Sequence, residues 1–152
     1  MTLSVTHLHS PVGDLVSRPA VHVSRDDSIT HVAQIMWANG VSAVLVGTGH
    51  GSIVTEHDLV AAVASDCPSD VRIDEVATVS PVSVPSDTDI VDAAALMLNE
   101  DVRHLIVELH DGSDGVLSIR EISAALLQAA KPDVWLSALR IKVAIPTDAW
   151  FG

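Results

Sequence analysis

Residues 21–46 read VHVSRDDSITHVAQIMWANGVSAVLV, and residues 82–107 read VSVPSDTDIVDAAALMLNEDVRHLIV. Laid on each other without a gap, Val21 falls on Val82, Val23 on Val84, Asp26 on Asp87, Ile29 on Ile90, Ala33 on Ala94, Met36 on Met97, Val41 on Val102 and Val46 on Val107. The offset is 61 residues. After a connecting loop that is two residues longer in the second copy it becomes 63, so that Thr55-Glu56-His57-Asp58-Leu59 meets Ser118-Ile119-Arg120-Glu121-Ile122. A chain that matches itself at a fixed period is a duplicated supersecondary unit. A copy of about 60 residues is too small to bury a comfortable core alone, so the two are expected to pack on each other.

Both copies read alike. Alternating Val21/Val23 and Val82/Val84 predict a short strand. A helix follows, with Asp26, Asp27 and Ser28 offering the N-cap in the first copy. Its apolar face is Ile29, Val32, Ala33 and Met36, and Gly40 ends it. Ile90, Ala93, Ala94 and Met97 form the matching face. Short apolar strands are expected at 42–46 and 52–54, and at 103–107 and 115–117. Second helices are expected near 56–65 and 119–130. The order is β-α-β-β-α, twice, joined by DCPSDVR (66–72) with Pro68 as a breaker. A βαβ crossover makes the first and second strands neighbours, and two small sheets facing each other leave clefts between the copies. The fold class is mixed α/β (α+β). The expected division is 12–66 for repeat one, 73–130 for repeat two and 131–152 for a tail.

Composition narrows the function. Apolar residues make up 48% of 152 and aromatics only 3%, so Val, Ala, Leu and Ile must fill the core. The net charge is −12 with eight scattered Lys and Arg, which excludes a basic stripe tracking a nucleic-acid backbone. A small anionic ligand needs only one or two local arginines, because global repulsion is screened beyond about 8 Å at physiological salt. No run of about 18 apolar residues suggests a membrane span. The start, MTLSVTHLHSPVGD, lacks the pattern of a secretory signal. Cys67 is the single cysteine. A cytoplasmic location is the simplest reading.

The duplicated order resembles a tandem pair of CBS (cystathionine-β-synthase) domains. The resemblance covers roughly residues 12–130. It rests on Gly40-Val41-Ser42-Ala43-Val44-Leu45-Val46 and Val102-Arg103-His104-Leu105-Ile106-Val107 at the second strands, and on Thr55-x-x-Asp58 and Ser118-x-x-Glu121 at the second helices. Many such domains carry proline inside the second strand, where this chain has Leu45 and Ile106. The resemblance implies two repeats packed sheet to sheet, a disc-like homodimer, and a ligand-sensing role. Adenosine-containing ligands (AMP, ADP, ATP, S-adenosylmethionine or NAD) would bind between the repeats, with no cofactor required. Leu59, Ala62, Val63, Ile122, Ala125 and Leu126 are the expected helix faces of the dimer.

The implied site is composite: one repeat holds the adenine, and the [ST]-x-x-D of the other holds ribose and phosphate. Carried over by position, a first cleft uses Thr55, His57 and Asp58 with Val79, Ser80, Val82, Val102, Arg103 and His104. A second uses Arg18, Ala20, Val21, Val41, Ser42 and Ala43 with Ser118, Arg120 and Glu121. A carboxylate can accept from a cis-diol, and a hydroxyl with free helix N–H groups can receive a phosphate. The first cleft is preferred, because Glu121 is one methylene longer than the aspartate of the pattern. The same spacing also describes a capping box, and Ser86-x-x-Asp89 repeats it away from either cleft.

Other motifs weigh less. GTGHG (47–51) lacks the Gly-Lys-Ser/Thr ending of a phosphate loop and reads as a turn, as does HDGSDG (110–115). Eight histidines include His7-x-His9, but no HExxH and no cysteine partner accompany them, so no metal site is assigned. No nucleophile elbow or kinase motif is present, and the expectation is a non-catalytic module. The tail KPDVWLSALRIKVAIPTDAWFG (131–152) holds two of the three Trp, the lone Phe and three of the eight basic residues. A short helix near 133–140 would fit there, and the tail could dock on the chain's own surface. It also offers an alternative function, a ligand-free scaffold that recruits an unknown protein partner through the tail.

Overall fold

The structure is a computed structural model that describes residues 10–129. His7, His9, the tail 131–152 and its expected helix lie outside the described residues. Repeat one contains β1 (His22–Val23), α1 (Ile29–Asn39), β2 (Ala43–Val46), β3 (Ser52–Thr55) and α2 (Glu56–Ala64). Repeat two opens with a further strand, β4 (Thr78–Val79), and continues with β5 (Ser83–Pro85), α3 (Ile90–Asn99), β6 (His104–Glu108), β7 (Asp114–Ser118) and α4 (Ile119–Ala129). The first strand of each repeat pairs parallel with the second, and the second pairs antiparallel with the third.

Local chemistry sets these elements. Ser28 caps α1 by accepting from the His31 N–H, and Gly40 ends it at φ 61°, ψ 38°, where a side chain would be strained. The GTGHG segment is a turn between β2 and β3, with Gly47 and Gly49 both at positive φ. Each sheet buries one face under its own two helices. One core gathers Val32, Met36, Val44, Val46, Val54 and Ala62, and the other Ala93, Met97, Leu105, Val107, Leu117 and Ile122. The other sheet faces meet each other through Ala43, Leu45, Ile53 and Ile106. Leu45 and Ile106, which stand where proline is common in such domains, are fully buried there. The expectation that Ala62 and Ile122 belong to a dimer face is corrected: both are buried in the core of their own repeat, and of the six residues expected there only Val63 is largely exposed.

The opening segments of the two repeats are exchanged. Val12 is fully buried in the core of repeat two, and Ile73 is fully buried in that of repeat one. The backbone repeats the same two hydrogen bonds on each side. The Val12 N–H donates to Thr88 and the Ile90 N–H to Ser10; their counterparts are Ile73 to Asp27 and Ile29 to Val71, all between 2.7 and 3.1 Å. Each opening segment, the leader of its repeat, thus closes the core of the other copy.

The exchange is not perfectly symmetric. The second leader continues as β4 and pairs antiparallel with β3, making a four-stranded sheet in the order β1-β2-β3-β4. The Ser80 N–H extends that pairing by donating to the Gly51 carbonyl at 3.1 Å. The corresponding residue of the first leader is Pro19, which has no N–H to give. Ala20, one residue later, donates to Asp114 at 3.0 Å instead, and the second sheet keeps three strands, β5-β6-β7. Among the described residues no helix is long and apolar enough to cross a membrane.

Candidate functional site

A cleft of about 1050 Å³ opens between the repeats, and all nine residues of the second expected set line it: Arg18, Ala20, Val21, Val41, Ser42, Ala43, Ser118, Arg120 and Glu121. From the first expected set it takes Arg103 and His104 only. Its floor is the edge of the inter-sheet contact, where Ala20 and Val116 flank the buried Ala43. One wall comes from α1 through Ala33, Met36 and Trp37, the other from the start of α4. Gly40 brings Val41 and Ser42 into the cleft by ending α1.

The remaining members of the first set lie elsewhere. Thr55 and Asp58 form a full capping box on α2. The Thr55 N–H donates to Asp58 Oδ2 at 2.8 Å, and the Asp58 N–H donates back to Thr55 Oγ1 at 3.4 Å. The Thr78 hydroxyl of β4 donates to the other carboxylate oxygen, Oδ1, at 3.5 Å. His57, Val79 and Ser80 are exposed, while Val82 and Val102 pack against the core of repeat two. Both oxygens of Asp58 are therefore engaged within the fold.

Ser118 and Glu121 build the same box on α4, with the Ser118 N–H donating to Glu121 Oε2 at 2.6 Å and the Ser118 hydroxyl to the same oxygen at 2.7 Å. Glu121 Oε1 makes no hydrogen bond among the described residues. The counterpart of Thr78 is Ser17, which stands on the rim of the cleft. The fourth strand lays a hydroxyl on Asp58; Pro19 prevents the equivalent strand beside Glu121, and that side stays open. Ser86-x-x-Asp89 is not a box at all, since Asp89 is itself the N-cap of α3 and its side chain makes no capping bond.

The cleft concentrates positive charge in an acidic chain. Arg18, Arg103 and Arg120 line it, opposed by Glu56 and Glu121. The Arg18 guanidinium donates to the carbonyls of Asn39 at 3.0 Å and Gly40 at 3.4 Å, at the negative end of α1. Between the repeats, Ser42 Oγ and His104 Nε2 lie 2.7 Å apart. His104 is half-buried, and burial pushes its pKa below the ordinary histidine value; Glu121, Glu56 and Asp58 pull it up, and Arg103 pushes it down. Trp37 was not anticipated from the sequence. It is 90% exposed on the cleft rim, where repeat two has Leu98. The available signal was an aromatic residue outside the apolar face of a helix, in a chain nearly devoid of aromatics.

Two exchanged β-α-β-β-α repeats with a polar-rimmed cleft between them define a duplicated, two-repeat class of module. The model of the CBS domain matches residues 12–65 and 73–128. The chain belongs to the CBS domain family, as a tandem pair. A 17.7 kDa uncharacterized protein of Acidianus ambivalens is 38% identical over 76 residues, 49% of this chain and 46% of that one, so the match spans about half of that relative. Among solved structures, the chain is similar to a CBS domain protein from Pyrobaculum aerophilum complexed with AMP, at 27% identity and a TM-score of 0.67, over 78% of this chain and 97% of that one. It is also similar to a CBS-domain containing protein from Agrobacterium tumefaciens, at 28% identity and a TM-score of 0.68, over 76% and 97% of the two chains.

Proposed function

We propose that the protein is a regulatory module that binds an adenosine nucleotide, and that it does so in the cleft beside Ser118 and Glu121 rather than beside Thr55 and Asp58. The observation that carries this reading is the 1050 Å³ cleft lined by every residue of the second set. Its size suits a nucleotide-sized ligand. Val21, Val41 and Met36 would enclose the base, Glu121 Oε1 would accept from the ribose hydroxyls, and Arg103 and Arg120 would face phosphate. The AMP complex of the Pyrobaculum relative supports the ligand class. The role is binding and signalling, not turnover; the module works as a homodimer in the cytoplasm, and ligand occupancy biases a conformation that another protein reads.

Calorimetric titration with AMP, ADP, ATP, S-adenosylmethionine and NADH tests this. At least one should bind, and Glu121→Ala should weaken it by about 1–3 kcal/mol, the range for a lost charged hydrogen bond. No binding at millimolar concentration refutes the reading. Sedimentation of the ligand-free protein checks the dimer.

A further inference from the structure

His104 differs from the other described histidines in its setting. Its ring stands on the cleft wall, half-buried, with Nε2 2.7 Å from the hydroxyl of Ser42 in the other repeat. Repeat one has Ala43 at the matching position, so His104 is the one histidine among the residues lining the cleft. Charged groups face it from each neighbouring element: Glu56 and Asp58 from α2, Glu121 from α4, and Arg103 from its own segment. Arg18 and Arg120 complete the charged lining of the cleft. Burial is the largest influence and pushes the pKa of the ring below the ordinary histidine value, which favours the neutral form.

We propose that His104 and Ser42 form a proton-linked anion sensor, in which a negatively charged ligand group entering the cleft draws a proton onto His104 and turns the Ser42 hydroxyl toward the ligand. This rests on the nucleotide-binding reading above. In the free state of this sensor the ring is the Nδ1–H tautomer, and the Ser42 O–H donates to Nε2 across the 2.7 Å contact. An imidazolium donates from both ring nitrogens, so Ser42 Oγ must then accept from Nε2–H. The serine has one hydrogen, and it is released into the cleft that Ser42 lines. The anion gains a nearby positive charge and a new donor in one step. The bond between the repeats persists with its direction reversed, so the junction registers the charge of the ligand. An uncharged ligand offers nothing to hold the proton.

The sign of the proton exchange makes the idea testable. A phosphate monoester has its own second ionisation near pH 6, and selecting its dianion would release protons rather than take them up. Full-length protein is titrated calorimetrically with AMP, with adenosine as the uncharged control and with S-adenosylmethionine. Runs span pH 6.5 to 8.0 in two buffers of different ionisation enthalpy. AMP binding should show net proton uptake and tighten about threefold from pH 8.0 to 6.5. Adenosine should show neither effect. His104→Gln should abolish the uptake and flatten the pH dependence, whereas His31→Gln, an exposed control on α1, should not. Ser42→Ala should weaken AMP but not adenosine. If His104→Gln does not fold, the wild-type proton count for AMP against adenosine and the Ser42→Ala variant decide the matter. AMP binding without uptake, uptake that survives in His104→Gln, or binding of S-adenosylmethionine alone overturns this inference and leaves the nucleotide reading standing. No binding of any adenosine ligand overturns both.

Discussion

The two halves of the molecule start from nearly the same pattern and arrive at different clefts. In both, a hydroxyl and a carboxylate three residues apart box the start of the second helix. Beside Asp58 a fourth strand brings in Thr78, and each carboxylate oxygen accepts a hydrogen bond from within the fold. Beside Glu121 the corresponding strand is missing, because Pro19 cannot donate where Ser80 does. The [ST]-x-x-[DE] spacing is shared and so cannot tell the two surroundings apart. A backbone N–H on a different segment does.

Four experiments would break or sharpen that comparison. The largest effects should come from the exchanged leaders. Ile73→Ala should cost about 2–5 kcal/mol in denaturant unfolding, and Val12→Ala less, since fewer carbons leave the core. Equal and negligible losses would show that the exchange does not hold the repeats together. Next comes the close fit of the first leader on repeat two. A Cβ on Gly115 would lie 2.5 Å from Val16 Cγ1, so Gly115→Ala should destabilise by about 1–3 kcal/mol, with Val16→Ala restoring much of the loss in the double variant. In repeat one the corresponding pair is Ser52 and Ala77, with the bulk moved from leader to strand.

The carboxylates come third. Asp58→Ala and Glu121→Ala should each cost about 1 kcal/mol of stability through the lost cap. Only Glu121→Ala should also weaken AMP, by about tenfold; an equal loss in both would restore the first cleft as the site. The smallest effect concerns pH. The folded-state pKa of His104 lies below its unfolded value, so the unfolded chain binds more protons as the pH falls below about 6.5, and the contribution of His104 to stability, present above that, is lost on acidification. Thermal melts of the free protein should show a modest decline from pH 7.5 to 6 that is absent in His104→Gln.

Much of the fold was legible because its signals are local or repeated. The duplicated pattern at an offset of 61 gave the repeats, and Ser28 and Gly40 bound the first helix where their chemistry predicts. β4 was not legible: Thr78 and Val79 carry no alternating run, and they become a strand only because β3 offers an open edge. The members of the second cleft could be gathered by position, but the difference between the surroundings of Asp58 and Glu121 could not be read. It depends on what Pro19 fails to donate and on where Thr78 lands, and neither is a property of the motif. The same limit applies to the dimer faces. Ala62 and Ile122 look like small or apolar surface residues on a helical wheel, yet each completes its own core.

The leaders carry one more consequence. The stretch that repeats along the chain and the piece that is complete in space are out of phase: a lone copy would own a plug and an empty socket that do not fit each other, since Val12 and Ile73 each reach across. Two such copies would satisfy one another reciprocally, as separate molecules clasped together. The segment 66–72 makes that clasp permanent by turning a partnership between two chains into an internal feature of one.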